Sequence, residues 1–210
     1  MHNYLAAQGG TTNYQREGLY RNGAFADDSY GKSKKLDFTT FGGKGGLTYK
    51  ITGRHLLDFN AAYYTQAPTI RNSFSNSRQN NLTVRGLTEE TIMNVDASYI
   101  FRSPTVKGRL TGYYTKIEDA SQISFFYADG ISGLGRNQTN AFVQEVLTNV
   151  DKEYLGAEFG VEVQITPTIK LKSAAAVGQH IYANNPDLYL TSDDFEQQLD
   201  YGKSYLKNYK

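Results

Sequence analysis

The chain has 210 residues, with 22 basic and 21 acidic side chains and a formal net charge of +1. This balance provides no basic footprint for nucleic acid, so we exclude that class of partner. The absence of cysteine excludes disulfide bonds and thiolate metal sites. No segment approaches the ~18 consecutive apolar residues that a membrane helix needs, whereas a membrane β-strand needs only ~10 residues of alternating polarity.

The first third of the chain predicts two strands around a polar connection. Residues 3–17 are predicted as a strand interrupted at Gly9-Gly10, and the connection spans residues 18–33. A second strand is predicted over residues 34–51, with a glycine-rich run at residues 42–46. This run has no Gly-Lys-Ser/Thr sequence and no helix after it, so it indicates a bend or a close approach within a strand rather than a phosphate loop.

Three tight turns, at residues 52–54, 103–105 and 166–168, each join two predicted strands. The turns predict three antiparallel hairpins. Lys170 or Lys172 is expected to pair with Glu162 across the third hairpin. Apolar residues recur at every second position of the strands before the second and third turns: Met93, Val95, Ala97, Tyr99 and Phe101, then Leu155, Ala157, Phe159, Val161, Val163 and Ile165.

Long connections alternate with these turns. Residues 66–90, 118–151 and 182–203 are predicted to be mostly irregular, and residues 204–210 to begin another strand. The many apolar residues of 119–151 predict that this connection packs against the rest of the chain, through a short strand or helix of its own. The chain is therefore predicted to be all-β, an antiparallel meander of about eight strands with short turns at one end and long loops at the other. This asymmetry is typical of a transmembrane β-barrel. A soluble sheet stays open as an alternative, because alternation does not tell which face meets lipid.

The connection at residues 66–90 is the best candidate for ligand contact. Guanidinium and amide donors at this density could bind an anionic or sugar-like ligand, although a merely solvated loop is the simpler interpretation. The candidate contacts are Arg71, Asn72, Arg78, Asn80, Asn81 and Arg85.

Catalysis is not expected from this sequence. The three histidines, His2, His55 and His180, stand far apart, and no Gly-x-Ser-x-Gly motif is present. Residues 130–135 imitate a dinucleotide fingerprint poorly. We expect no enzyme, no cofactor and no metal site.

Five segments resemble the barrel of TonB-dependent outer-membrane receptors, in particular the Bacteroidetes type that begins with a carboxypeptidase-regulatory-like domain. The likeness extends over nearly the whole chain but only over the later part of such a receptor. The segments are residues 15–23 (QREGLYRNG), 29–33 (SYGKS), 45–51 (GGLTYKI), 67–74 (APTIRNSF), and 102–104 with 112–115 (RSP and GYYT).

The resemblance implies a barrel of about 22 strands in the cell outer membrane of a Gram-negative bacterium. It implies import of a siderophore, cobalamin, a glycan or a peptide, driven by the TonB complex through a plug inside the barrel. Residues 1–210 would form one part of that barrel, without the plug, the signal peptide and the terminal strands. The expected partners are outer-membrane lipid, the TonB complex and a nutrient ligand. The alternative is a soluble or surface-exposed β-sheet module that binds a ligand with its loops.

Overall fold

The computed structural model describes residues 1–129, 140–192 and 199–203, and this part of the chain is all-β. No helix among these residues is long and apolar enough to cross a membrane. The only helical pieces described are two short 3-10 turns, Gly23–Phe25 and Ile70–Asn72. The strands are β1 (His2–Tyr14), β2 (Glu17–Gly18), β3 (Gly31–Lys32), β4 (Leu36–Lys50), β5 (His55–Gln66), β6 (Glu90–Arg102), β7 (Val106–Asp129), β8 (Asn140–Gln164), β9 (Lys170–Tyr182), β10 (Asp187–Thr191) and β11 (Leu199–Lys203).

The long strands form one antiparallel sheet in the order β1-β4-β5-β6-β7-β8. β9 and β10 follow one another along the same side of β8, and β11 pairs with β10. β2 and β3 form a separate small ribbon. The predicted all-β meander of about eight strands is therefore confirmed.

The predicted hairpins and their charge pair are confirmed as well. Tight turns join β4 to β5, β6 to β7, and β8 to β9. Both candidate lysines approach the Glu162 carboxylate, with Nζ of Lys170 at 3.2 Å and Nζ of Lys172 at 3.5 Å. Lys107 on β7 adds a third ammonium group at 3.8 Å.

The glycines of the first two strands do not break them. The prediction that Gly9-Gly10 interrupts the first strand is wrong, because β1 pairs with β4 without a shift through these residues. The second glycine run lies inside β4 and allows close approach: a Cβ atom on Gly42 would lie 2.5 Å from Cβ of Tyr64. A Cβ atom on Gly46 would overlap the Tyr4 ring.

The prediction that residues 118–151 are irregular is wrong. β7 continues to Asp129, and β8 begins at Asn140, so the two strands form a long hairpin. Their register shifts beside Asp119 (φ 60°) and Asn149 (φ 56°), which adopt left-handed backbone conformations. Such bulges reverse the alternation of faces along each strand, so the period-two signal is lost.

The prediction of an irregular connection over residues 182–203 is also wrong, since it contains β10 and β11. The glycine-rich motif at residues 130–135 and the strand predicted at residues 204–210 lie outside the described residues.

Apart from Leu56 beside the tight turn between β4 and β5, the buried apolar residues lie at the long-loop end of the sheet. Val84 from the loop between β5 and β6 packs with residues of β7, β8 and β10. A second cluster lies beside the two bulges. The first cluster contains Val84, Ile123, Val146 and Tyr189 with Leu87; the second contains Ala120, Leu147 and Val150 with Ile117, Tyr182 and Leu188.

Candidate functional site

The sheet has one polar face and one apolar face over the part that runs from the tight turns to the bulges. Residues paired across antiparallel strands point to the same side, so the register assigns each side chain to a face. Asn60, Asp96 and Tyr113 are consecutive partners and define the polar face. The alternate residues, such as Phe59, Ala97 and Ala157, define the apolar face.

The apolar face is exposed. Phe59 is 45% accessible, Leu155 58% and Val177 73%. Ser98, on the polar face, is only 2% accessible. A water-soluble sheet covers its apolar face and exposes its polar one, so this arrangement is inverted.

Aromatic side chains mark both ends of the apolar face. Near the tight turns, the His55 ring lies 5.9 Å from the Tyr99 ring and 5.0 Å from the Phe101 ring. Near the long loops, the Phe41 and Tyr63 rings lie 6.3 Å apart. Such rings are enriched where a membrane protein passes from hydrocarbon to water.

The polar face carries a network of hydrogen bonds across strands. Asn60 Nδ2 donates to Asp96 Oδ1 at 3.0 Å and to Asp58 Oδ2 at 3.2 Å. Arg109 donates to Ser98 Oγ from both Nε and Nη2, at 3.2 and 3.0 Å. These donors and acceptors satisfy one another's hydrogen bonds on an open face of the sheet. Such a polar face is suited to contact with water.

A hollow of about 750 Å³ lies on this polar face. Its lining combines small residues, including Gly160, Ala174 and Ala176, with charged and polar side chains. The charged and polar residues are Asn94, Asp96, Arg109, Thr111, Tyr113 and Glu158.

Arg16 joins the connections at residues 15–35 and 67–89 into one layer at the long-loop end. Its guanidinium donates to Ser77 O at 2.8 Å, to Ser29 O at 3.0 Å and to Asn81 Oδ1 at 2.5 Å. The backbone N–H of Asn81 also donates to Asp28 O at 2.7 Å. These bonds fix the position of the loop that carries the candidate ligand contacts.

The candidate contacts separate into two groups. Asn80 is buried, and Asn81 is held by Arg16, so both serve the loop itself. The Arg85 guanidinium lies 4.4 Å from the centre of the Tyr189 ring. Asn72 is half-buried within the turn Ile70–Asn72.

The remaining two candidates, Arg71 and Arg78, are exposed and line one cleft of about 640 Å³. The opposite wall is formed by Phe125 of β7 and Phe142 of β8, whose rings stack 5.6 Å apart at an interplanar angle of 6°. We call this site the arginine–phenylalanine cleft. Its lining is Ile70, Arg71, Asn76, Ser77, Arg78, Gln79, Phe125 and Phe142. The sequence predicted that the apolar residues of 119–151 pack against the rest of the chain, but it did not predict that two of them line this cleft.

Burial shifts the pKa values of two groups in this layer, the Asp28 carboxyl and the Tyr189 phenol. Burial raises the pKa of Asp28, and the Arg16 guanidinium opposes that rise. Burial likewise raises the pKa of the Tyr189 phenol, and Arg85 opposes it through its backbone N–H and its guanidinium. Within the described residues, no group of three or more His, Cys, Asp or Glu side chains is placed to hold a metal ion.

Comparison of the chain with protein-family models, with curated proteins and with solved structures finds no match.

Proposed function

We propose that this chain forms part of a transmembrane β-barrel in the outer membrane of a Gram-negative bacterium, in a receptor of the TonB-dependent type that imports a nutrient. The exposure of the apolar face is the observation that carries the proposal. Burying one large apolar side chain is worth about 1.5–3 kcal/mol, so a broad exposed face of them is unfavourable in water and favourable in lipid.

The height of the apolar face fits an outer membrane. Phe41 and Tyr49, near its two ends, are eight positions apart on β4. At ~3.3 Å per residue this separation is ~26 Å along the strand, or ~20 Å along the membrane normal for a strand tilted by ~40°. The outward apolar band of such barrels is about 25 Å tall, flanked by aromatic residues on both sides.

The edges of the sheet support closure with further strands. Among the described residues, β1 pairs only with β4, and β9 only with β8. Unpaired backbone groups are costly in hydrocarbon, so a membrane sheet requires a partner at each edge. Further strands would close the barrel, with the polar face lining its lumen and the long loops pointing outward.

The TonB complex and a plug enter the proposal through the family resemblance alone. A plug that seals the lumen makes import dependent on energy from the inner membrane. The polar face that carries the Asn60–Asp96 and Arg109–Ser98 hydrogen bonds is the kind of wall that a plug or a passing polar substrate would contact.

Folding in detergent separates the proposal from a soluble binding module. The chain is unfolded in urea and diluted either into detergent micelles or into buffer, and far-UV circular dichroism measures strand content. The proposal predicts β structure in micelles, where copies of the chain pair at their open edges, and aggregation in buffer. A monomeric, folded chain in detergent-free buffer would contradict it.

A matched pair of variants tests the orientation of the sheet. Ala175 and Ala176 are exposed neighbours on β9, paired with Phe159 on the apolar face and Glu158 on the polar face respectively. Lysine on a lipid-facing position costs about 2–4 kcal/mol at the centre of the bilayer. Ala175→Lys should therefore reduce flotation with lipid vesicles, whereas Ala176→Lys should float like the parent chain. Equal effects of the two variants would refute the assignment of faces.

A further inference from the structure

We propose that the arginine–phenylalanine cleft binds a small molecule that carries a carboxylate and a flat apolar face. Arg71 and Arg78 would bind the carboxylate, and Phe125 and Phe142 would pack against the flat face. This inference rests on the proposed function in one respect, since it places the cleft on the outward side of the barrel, where a nutrient first arrives.

Within the part of the chain that the structure describes, the positive charge of the cleft has no acidic partner. The described lining residues include two arginines and no acid. Neither the Arg71 nor the Arg78 guanidinium takes part in an ion pair or a side-chain hydrogen bond among the described residues. The Arg16 guanidinium, by contrast, donates to four acceptors in the loops. Two exposed guanidinium groups facing one space provide the planar donor pairs that carboxylates accept in two-point contacts.

The backbone that carries Arg78 is held in place. The Arg16 guanidinium binds Ser77 O at 2.8 Å, and the backbone N–H of Arg78 donates to Asn76 Oδ1 at 3.2 Å. Asn76 Nδ2 donates to Gln79 Oε1 at 2.8 Å. A binding loop fixed in this way loses less conformational entropy when a ligand arrives.

The opposite wall is apolar and accessible. Phe125 and Phe142 are diagonal neighbours on the same face of the paired strands β7 and β8, and their parallel rings form one continuous surface. Phe125 remains 41% accessible, so the surface is available to a ligand. A ring with an apolar face, whether aromatic or a sugar presenting its C–H groups, removes this surface from water and gains dispersion contacts.

The size of the cleft suits a small molecule. Its volume of about 640 Å³ lies inside the ~300–1,000 Å³ range of ligand pockets. Two sources share the required chemistry, an acidic oligosaccharide and an aromatic acid. Both present a carboxylate beside a ring face.

Calorimetric titration tests the inference on the full chain in detergent micelles. The probes are trigalacturonate and 1-naphthoate, each beside an uncharged analogue, galactotriose and 1-naphthylmethanol. At least one acid should bind while its uncharged analogue binds at least about tenfold more weakly, the equivalent of ~1.4 kcal/mol. Binding of trigalacturonate would identify the ligand as an acidic oligosaccharide, and binding of 1-naphthoate would identify it as an aromatic acid. Binding of neither acid, or equal binding of an acid and its analogue, would overturn the inference.

Variants locate the binding. Arg71→Ala and Arg78→Ala should each weaken binding of the acid about tenfold, and Phe125→Ala should weaken it without changing its dependence on salt. Arg54→Ala is the matched control, because it removes an exposed arginine from the tight turn at the opposite end of the sheet. Arg71→Lys keeps the charge while losing the planar donor pair. An equal loss in Arg54→Ala would show a general effect of net charge and refute the site.

The same samples keep the two proposals separate. Flotation with vesicles reports membrane insertion, and titration reports the cleft. If the chain floats with vesicles but binds no acid, the proposed function stands and this inference is overturned. If the chain binds an acid through Arg71 but does not float, this inference stands and the proposed function is overturned.

Discussion

Replacing Arg16 by alanine should loosen the whole layer of long loops while leaving the sheet intact. The guanidinium makes three hydrogen bonds of 3.0 Å or less, to acceptors at Ser29, Ser77 and Asn81. Bonds to a charged group contribute about 1.5–3 kcal/mol each, and acceptors that regain water recover part of this. At a reduced value of ~1 kcal/mol per bond, the loop layer loses about 3 kcal/mol of local stability.

Amide hydrogen exchange measures that loss directly. The N–H groups of Asn81 and Val84 are bonded to Asp28 O at 2.7 Å and to Ser73 O at 2.9 Å, so their protection reports closure of the layer. A loss of 3 kcal/mol corresponds to exchange roughly a hundredfold faster. The amide of Ser103, in the turn between β6 and β7, should keep its protection.

Arg21→Ala is the control, because it removes an exposed arginine from the same connection. Arg16→Lys should fall between the parent chain and Arg16→Ala, since an ammonium group reaches fewer of the acceptors. Unchanged protection of Asn81 in Arg16→Ala, or an equal loss in Arg21→Ala, would refute the role given to Arg16.

Three further substitutions test the packing and charge of the sheet and loops. Gly156→Ala should destabilise the chain in micelles by about 1–3 kcal/mol in urea unfolding, because its Cβ would lie 2.8 Å from the backbone oxygen of Val177 and 2.5 Å from the Tyr113 hydroxyl. Gly160→Ala, on the same strand and face with open space around it, should be neutral; equal effects would disprove the contact. Glu162→Gln should lower the melting temperature at low salt, with the difference shrinking at 1 M salt as the attraction to three lysines is screened; a salt-independent difference would contradict this. Asp28→Asn should raise the melting temperature at pH 7, because burial raises the pKa of Asp28 and its charged form opposes folding. That gain should vanish below pH 3.8, the ordinary value, where the carboxyl is protonated in both states; a gain that grows on acidification would reverse the assigned sign.

The sequence pattern predicted those strands in which apolar and polar residues alternate along the whole length. Residues 91–102 and 154–165 alternate without interruption, and both segments are strands in the sheet. The upper parts of β7 and β8 were missed because bulges at Asp119 and Asn149 change the side to which the following residues point. A pattern search with a fixed period cannot follow such a change.

The candidate site was predicted only in part, for a different physical reason. The loop at residues 66–90 has no periodicity, so its sequence gives no sign that Asn80 turns inward while Arg78 stays outside. The sequence did not predict the role of Arg16 either, because its acceptor Asn81 lies 65 positions further along the chain. Such contacts depend on how the strands bring distant connections together.

The environment of the two faces of β9 tests most directly whether the apolar face of the sheet meets lipid. The chain has no cysteine, so a single cysteine can carry an environment-sensitive fluorophore at Val177 on the apolar face or at Ala176 on the polar face. In lipid vesicles, a sheet whose apolar face meets lipid should give blue-shifted emission at Val177 that brominated lipid quenches, and emission at Ala176 that aqueous iodide quenches. Iodide quenching of Val177 with lipid quenching of Ala176, or equal behaviour at both positions, would contradict a sheet that turns its apolar face to the membrane.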